Sequence, residues 1–370
     1  QLRQDGLLFK ILLSRWGTIG TNRFALETGD SPVKNWSGTH LDYSTRLSAA
    51  IDPERIQARE RRKYRCYSCS IACGGICTLP EREGDTHKPE FETVTALGPL
   101  LGVTDLDRIF ELNELLNRAG MDAISAGGTV AFAIECYEQG LLTSRDMGGL
   151  ELRWGDAAAA GALIEKMVRR EGIGDLLADG ARAAAARLGA GSENSAVHAG
   201  GQELAMHDPR NDPGFALHAV VEPSPGRHTV GAYMYYEMFQ LWTRVPGLPR
   251  PRPRFYPKGI KYHAGCEQAA WAAACSRFSA ALNGAGVCLF GGLAGVNRLP
   301  FFEWINAVTG WQRTPAEIMQ MGQNIQDLRQ LFNARQGAPL RAAINPRALG
   351  LPPQKRGPNR GRSVPLEELV

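Results

Sequence analysis

Residues 105–120, DLDRIFELNELLNRAG, decide the class of the fold. Leu106, Ile109, Phe110, Leu112 and Leu115 recur at helical spacing, which puts them on one face of an α-helix, and Gly120 ends the run. The same signature returns along the chain. Ser125 caps a second helix that passes through Val130, Phe132, Ile134 and Tyr137 to Gly140. Residues 157–170 and 175–188 read as two more, each followed by a glycine, Gly172 and Gly189. Helical spacing resumes over 267–282, 301–308 and 315–335, the last with Thr314 as cap and Pro315 in the first turn. Strand signals are short and few, and no solenoid-length repeat is present. The expected fold is therefore mainly α, with a Gly/Pro-rich central region over 205–265 that reads as loop-built and functional. Residues 1–50, broken by Gly17, Gly20, Gly29, Pro32 and Gly38, read as short apolar pieces anchored by Trp16 and Trp36, without a long helix. The last twenty residues read as a tail.

Charge and hydropathy remove several classes of function. The 370 residues include 42 basic and 38 acidic side chains, a net charge of +4, which is too weak a field for nucleic acid or an anionic membrane. The local basic excesses at 250–254 and 355–362 lack interleaved aromatics and read as solvated loop and tail. Residues 278–297 have the length of a membrane span but contain Asn283 and five glycines, so no span is expected. The chain opens on Gln1 with no signal sequence, and it is expected to be a piece of a longer protein.

Eight cysteines are too few for a disulfide scaffold, and four of them lie within twelve positions. Cys66, Cys69 and Cys73 form C-x2-C-x3-C, Cys77 follows four residues on, and Gly74 and Gly75 stand between. Thiolates on a Gly-containing loop can curl around one face of a cubane, so a [4Fe–4S] cluster is expected. Zinc is the rival, although its sites usually pair two C-x2-C units and only one is present. The fourth ligand is either Cys77, which is local, or Cys288, which is remote. Thiols kept available as ligands place the chain in the cytoplasm. Cys136, Cys266 and Cys275 read as small buried hydrophobes. Cys288 itself closes the second copy of a short repeat, Asn117-Arg-Ala-Gly120-Met-Asp122 and Asn283-Gly-Ala-Gly286-Val-Cys288, each copy following an apolar helical stretch.

The residues around these motifs carry a resemblance. Cys66–Gly74, Pro89-Glu90-Phe91-Glu92-Thr93, Gly120–Gly127, Gly172–Gly180, His207-Asp208-Pro209-Arg210, Pro225-Gly-Arg-His228-Thr and Gly286-Val-Cys288 together resemble the aldehyde ferredoxin oxidoreductase family, in the same order, from near Trp16 to near Leu351. Chains of that family begin with a β-rich domain that forms a saddle over the cofactor and continue with two helical domains, and this sequence resembles the helical pair alone. On that basis residues 1–50 are expected to be the remnant linker from a missing N-terminal domain. Residues 51–204 would then form the helical domain with the cysteine cluster and first pterin loop. Residues 205–370 would form the one with the active-site histidine loop, the second pterin loop and the tail.

The resemblance further implies oxidation of aldehydes at a tungsten, or molybdenum, bis-pyranopterin centre. Electrons would leave through the [4Fe–4S] cluster to ferredoxin or an iron–sulfur electron-transfer subunit. A magnesium ion bridging the pterin phosphates and a homodimer are further expectations. By the family motif the cluster ligands fall on Cys66, Cys69, Cys73 and Cys288. The two hexapeptides resemble the family's pterin loops, which makes Asn117, Gly120, Asp122, Asn283, Gly286 and Val287 cofactor contacts. The second loop usually begins with Asp in the family, and Asn283 keeps an acceptor there but loses the charge.

Arg210 offers a guanidinium for a phosphate or pterin. Glu90 and Glu92 are a same-face pair if their segment is extended, and a carboxylate near the metal can activate water or accept a proton. His228 resembles the family's active-site histidine, a proton donor to the substrate carbonyl oxygen. His207 stands between a site role and a structural one, whereas His40, His87, His198, His218 and His263 read as structural. Two other functions compete. One is the catalytic subunit of a dearomatising aryl-CoA reductase, which needs a dedicated iron–sulfur subunit. The other is an inactive iron–sulfur protein without pterin.

Overall fold

Trp36 and Ile19 are fully buried, so the stretch expected to be a linker contributes to a core. In the computed structural model, which describes residues 7–43, 51–79, 84–229, 231–251, 266–294 and 300–370, this stretch holds helices α1 (Leu7–Trp16) and α2 (Asn22–Thr28). Ile19, Leu26, Val33 and Tyr43 pack with Ile56, Cys77, Val94, Leu106 and Phe110, and Trp16 lies against the cluster. The apolar pieces looked short because glycines divide them, yet each piece finds its partners far along the chain.

Contacts divide the chain into two units. The cysteine unit comprises Leu12–Asn211 and Ile344–Ser363; the C-terminal unit comprises Gln1–Ile11, Asp212–Ala343 and Val364–Val370. In the cysteine unit, α3 (Pro53–Gln57) leads into an antiparallel sheet of β1 (Glu60–Tyr64), β2 (Gly74–Thr78) and β3 (Asp85–His87). Then follow α4 (Phe91–Leu97), α5 (Leu106–Ala119), α6 (Ala123–Glu138), α7 (Ala157–Arg169), α8 (Ile173–Leu177), α9 (Ala181–Leu188) and the small pair β4 (His198–Ala199) and β5 (Gln202–Glu203). The start of α5 comes from Asp105, whose side chain accepts from the Asp107 N–H at 2.9 Å. The cap of α6 is Asp122 rather than Ser125: its Oδ1 accepts the Ser125 N–H at 2.7 Å, so the helix starts three residues earlier than the serine cap requires. The helix expected over 175–188 is two helices interrupted at Gly180.

The return segment 344–363 is tied into this unit by charge. Arg347 forks onto the mostly buried Glu135 at 2.6 and 2.7 Å, and Asn35 Nδ2 donates to the same carboxylate at 2.6 Å. Asn359 donates to the Gly29 carbonyl at 2.7 Å. The chain end is therefore not a tail, because Val364, Leu366 and Leu369 are buried as well.

The C-terminal unit contains α10 (Gly214–Val221), α11 (Tyr233–Phe239), α12 (Cys266–Gly284), α13 (Leu289–Ala294), α14 (Phe301–Thr309), α15 (Pro315–Arg335) and α16 (Leu366–Leu369). Thr314 and Glu317 form the capping box of α15. Phe278 of α12 makes edge-on contacts with Phe239 and Phe301 at 4.9 and 5.5 Å between centroids, and Tyr236 stacks on Trp271 at 5.6 Å. α15 lies tightly against α12 at Gly322, where an added Cβ would overlap the Arg277 carbonyl of α12. Gly322→Ala should therefore destabilise this unit by about 1–3 kcal/mol, read as a lowered unfolding midpoint; an unchanged midpoint would mean that the helices separate without cost.

The apolar stretch at 278–297 is no span, since α12 ends at Gly284 and α13 begins at Leu289. Among the described residues no helix is long and apolar enough to cross a membrane. Cys136 and Cys275 are buried as expected, and burial pushes the Cys136 thiol up to about 12. His263, Arg252, Arg254 and the side chain of Cys266 lie outside the described residues.

Candidate functional site

Tyr64 of β1 pairs with Gly74 of β2, so residues 65–73 form one hairpin loop, and it carries Cys66, Cys69 and Cys73. Cys66 is exposed and the other two are half-buried. The loop curls because the Cys69 N–H donates to the Cys66 carbonyl at 3.1 Å and the Ile71 N–H points at Cys69 Sγ at 3.4 Å. Ser68 and Ala72 adopt φ of 54° and 55°, the left-handed conformation in which a tight loop reverses. Buried Ile71 anchors it, and the Ser14 hydroxyl donates to the Ile71 carbonyl at 2.7 Å.

Behind the hairpin, Glu60 of β1 pairs with the fully buried side chain of Lys88 at 2.9 Å and with Lys63 at 2.9 Å. Cys77 is different in kind. It sits in β2 at 0% exposure within the core, and burial pushes its thiol up to about 12, away from the thiolate that a metal needs. Glu60 and Lys88 carried no sequence signal, since neither stands in a recognisable spacing.

The repeated hexapeptides are the same structural corner made twice. In the first, the Gly120 N–H donates to the Asn117 carbonyl at 3.3 Å, the Met121 N–H to Leu116 at 3.0 Å and the Ala126 N–H to Asp122 at 2.9 Å. In the second, Gly286 donates to Asn283 at 3.0 Å, Val287 to Leu282 at 2.9 Å and Gly292 to Cys288 at 3.0 Å. Gly120 and Gly286 both take left-handed φ, 66° and 72°, which ends one helix and lets the next start within a few residues. Asn117, Gly120 and Asp122 are exposed, as are Asn283, Gly286 and Cys288. Part of the resemblance between the copies thus follows from backbone geometry: Asp122 caps α6 with one carboxylate oxygen, and Cys288 occupies the equivalent place before α13.

Glu90 and Glu92 are not a same-face pair, because their segment is the start of a helix rather than a strand. Glu90 is the residue before α4, at φ −81° and ψ 167°, and it accepts a hydrogen bond from the Thr18 hydroxyl. Glu92 lies in the first turn. Its Oε2 accepts the Met206 N–H at 2.7 Å, and its Oε1 lies 3.4 Å from His207 Nε2. The other ring nitrogen of His207 is 2.7 Å from Asp30 Oδ2, and the ring stacks on Phe91 at 4.9 Å. Asp30 had no sequence signal. Arg210 is corrected as well: it is 1% exposed, its Nε and Nη2 fork onto Asp208 at 2.9 and 2.6 Å, and Nη2 also donates to the Trp36 carbonyl at 2.9 Å. A guanidinium so engaged is a core ion pair, not an open phosphate contact.

In the C-terminal unit, half-buried His228 stands in the turn that follows α10. The polar face of α15 holds the root of that turn. Gln330 Nε2 donates to the Val221 carbonyl at 2.5 Å, Asn333 Nδ2 to Pro223 at 2.7 Å and Arg329 Nη2 to Ser224 Oγ at 2.9 Å. Gln326 Nε2 reaches buried Glu222 at 2.9 Å. His218, read as merely structural, holds the other side: its Nε2 bonds the Arg227 carbonyl, one residue before His228. Burial holds the His218 imidazole below its usual pKa, so the neutral ring with its proton on Nε2 is the donor.

The family model described as "Aldehyde ferredoxin oxidoreductase, domains 2 & 3" matches residues 4–370. The chain belongs to the aldehyde ferredoxin oxidoreductase family. The tungsten-containing aldehyde ferredoxin oxidoreductase of Pyrococcus furiosus is 31% identical over 360 residues, 97% of this chain and 56% of that protein. The enzyme of the same name from Thermococcus kodakarensis is 30% identical, again over 97% and 56%. The aliphatic sulfonate oxidoreductase WOR-like subunit of Pyrococcus furiosus is 29% identical over 58% of this chain and 35% of that protein. The chain spans about half the length of the curated relatives it matches in full.

Among solved structures, the active-site complex BamBC of benzoyl-coenzyme A reductase with 1,5-dienoyl-CoA superposes with a TM-score of 0.67. The match covers 94% of this chain and 54% of that one, at 20% identity, and it is a likeness of fold. The mainly helical architecture of this aldehyde ferredoxin oxidoreductase family member is the one expected from its sequence.

Proposed function

We propose that this member of the aldehyde ferredoxin oxidoreductase family takes part in oxidising aldehydes at a tungsten bis-pterin centre, with electrons leaving through a [4Fe–4S] cluster to ferredoxin. The observation that carries the reading is the pair of equivalent exposed corners, one of them ending in Cys288, in a chain that also presents three cysteines on one hairpin loop. The donor set suits an iron–sulfur cluster: thiols on a curled loop with Cys66 open to solvent, and Cys77 withdrawn into the core. When bound, the tungsten centre supplies a two-electron oxidation and the cluster takes the electrons one at a time.

The chain's own residues divide the remaining work. Cys66, Cys69, Cys73 and Cys288 hold the cluster. Asn117, Gly120 and Asp122, with Asn283, Gly286 and Val287, face the pterins, and the second oxygen of Asp122 remains for a ring N–H donor. His228 hydrogen-bonds the carbonyl oxygen of the substrate. Glu92 accepts the proton released on oxidation, while Glu90 is held by Thr18 and shapes the start of α4. Aldehydes are favoured over aryl-CoA thioesters because relatives named for aldehydes match 97% of the chain at 30–31% identity, whereas the benzoyl-CoA reductase shares the fold alone.

The test is to purify the full-length protein without oxygen, measure iron, tungsten and pterin, and assay dye reduction with aldehydes and with an aryl-CoA. Iron near four atoms per chain, as a single cubane requires, with tungsten, pterin and aldehyde-dependent reduction is expected. Iron without tungsten or pterin would favour the inactive iron–sulfur protein, and turnover of the aryl-CoA alone would favour the reductase.

A further inference from the structure

The hairpin loop that carries Cys66, Cys69 and Cys73 has a charged group directly behind it. An added Cβ on Gly17 would meet the Cys73 carbonyl at 2.5 Å and Lys88 Nζ at 3.4 Å, so the Lys88 ammonium lies beside the backbone of the third cysteine. That ammonium is sealed from water: the Lys88 side chain has 0% exposure and that of Glu60 8%. The backbone explains the burial. The Lys88 N–H donates to the Gly75 carbonyl at 2.8 Å, which continues the pairing of β2 and β3 one residue past Ile76 and His87. Successive side chains then alternate in direction, with His87 exposed and Lys88 buried.

The charges in this group do not cancel. Glu60 Oε2 faces Lys88 Nζ and Glu60 Oε1 faces Lys63 Nζ, both at 2.9 Å, so two ammonium groups share one carboxylate. Lys63 keeps 31% exposure, and water and salt screen it. Lys88 has no such screening. The sense of its field is visible at Cys77: burial raises that thiol, and Lys88 is foremost among the charges that pull it back down. Glu60 and Lys63 alone would complete an ion pair that fastened the sheet. A second, fully desolvated cation is costly there unless it meets further negative charge. A cubane held by thiolates is such a charge, and it becomes more negative on reduction.

We propose that Lys88 is a fixed counter-charge to the cluster, raising its reduction potential so that it takes up electrons more readily. The proposal rests on the reading of the cysteine set as a [4Fe–4S] site. No bond forms or breaks at Lys88. Its positive charge favours the reduced cluster over the oxidised one by Coulombic attraction across a buried, weakly screened path. Lys88 touches neither the substrate nor the reacting atoms and is a positioning residue in this sense.

The test is the midpoint potential of the cluster, read by EPR during a redox titration of the full-length holoenzyme, with iron counted in every sample. Lys88→Met should shift the midpoint to more negative potential with iron at the wild-type level. Adding Glu60→Gln to Lys88→Met removes one charge of each sign and should return the midpoint most of the way, a recovery that a loosened hairpin would not show. An unchanged or more positive midpoint in Lys88→Met, or a further negative shift in the double variant, would overturn the proposal. Iron lost from both variants would overturn it in favour of a structural anchor. If the single variant alone loses iron, the double variant is read against Glu60→Gln, which differs from it by the Lys88 charge. A more negative potential in the double variant is then expected, and equal potentials would overturn the proposal. A wild-type protein without a cubane signal would instead remove the cluster reading, and the counter-charge would fall with it.

Discussion

Cys288→Ala should abolish the EPR signal and the iron content of the cubane, and Cys77→Ala should leave both intact. The two residues were alternatives on the sequence, because Cys77 follows the C-x2-C-x3-C run within four residues and Cys288 lies far away. Their environments differ in the property that matters. Cys77 is at 0% exposure among Ile19, Ile56, Val94 and Phe110, and its thiol, raised to about 12 by burial, is protonated at neutral pH, whereas a ligand must be a thiolate. Cys288 is exposed at the start of α13. The Cys77 variant should lose only stability, on the order of 1 kcal/mol as for most core truncations. Equal loss of iron in the two variants, or loss confined to Cys77→Ala, would refute Cys288 as the fourth ligand.

His228→Asn should lower turnover by about 10²–10⁴-fold without changing iron or tungsten content. Oxidising an aldehyde requires its carbonyl to be polarised, and an imidazole hydrogen-bonded to that oxygen does this as negative charge builds on it. Asparagine keeps a side chain of similar reach but is a much poorer acid. The turn around His228 should survive the change, since its root is held by Gln330, Asn333 and Arg329 of α15 and its far side by His218, none of which depends on His228 for its recorded hydrogen bond. Metal analysis of the variant is therefore part of the measurement. Full turnover would take His228 out of the mechanism, and loss of metal together with turnover would give it a structural or ligating part instead.

Several features were legible in the letters because neighbouring residues create them. The bounds of α5 follow from Asp105 and Gly120, and those of α15 from the Thr314–Glu317 box. The hairpin cysteines and the duplicated corner are also local, since a left-handed glycine four residues or fewer from its hydrogen-bond partners writes its conformation into a hexapeptide. Asp122 was not legible as the cap of α6, because Ser125 offered the same chemistry nearby and only the backbone geometry chose between them.

What the tertiary structure decided is which distant groups share a partner. His207 and Asp30 are 177 positions apart, Arg347 and Glu135 are 212 apart, and no spacing rule connects either pair. The extended reading of Glu90 and Glu92 failed because Glu90 begins a helix whose position is set by burying Phe91 and Val94. Arg210 looked available for a phosphate because a sequence does not reveal that Asp208 and the Trp36 carbonyl engage its Nε and Nη2 in the core. Caps, turns and ligand spacings depend on energies exchanged within a few residues, so the sequence by itself determined them. Burial and pairing depend on how whole elements pack, and that choice is made by the hydrophobic and electrostatic cost of the complete fold.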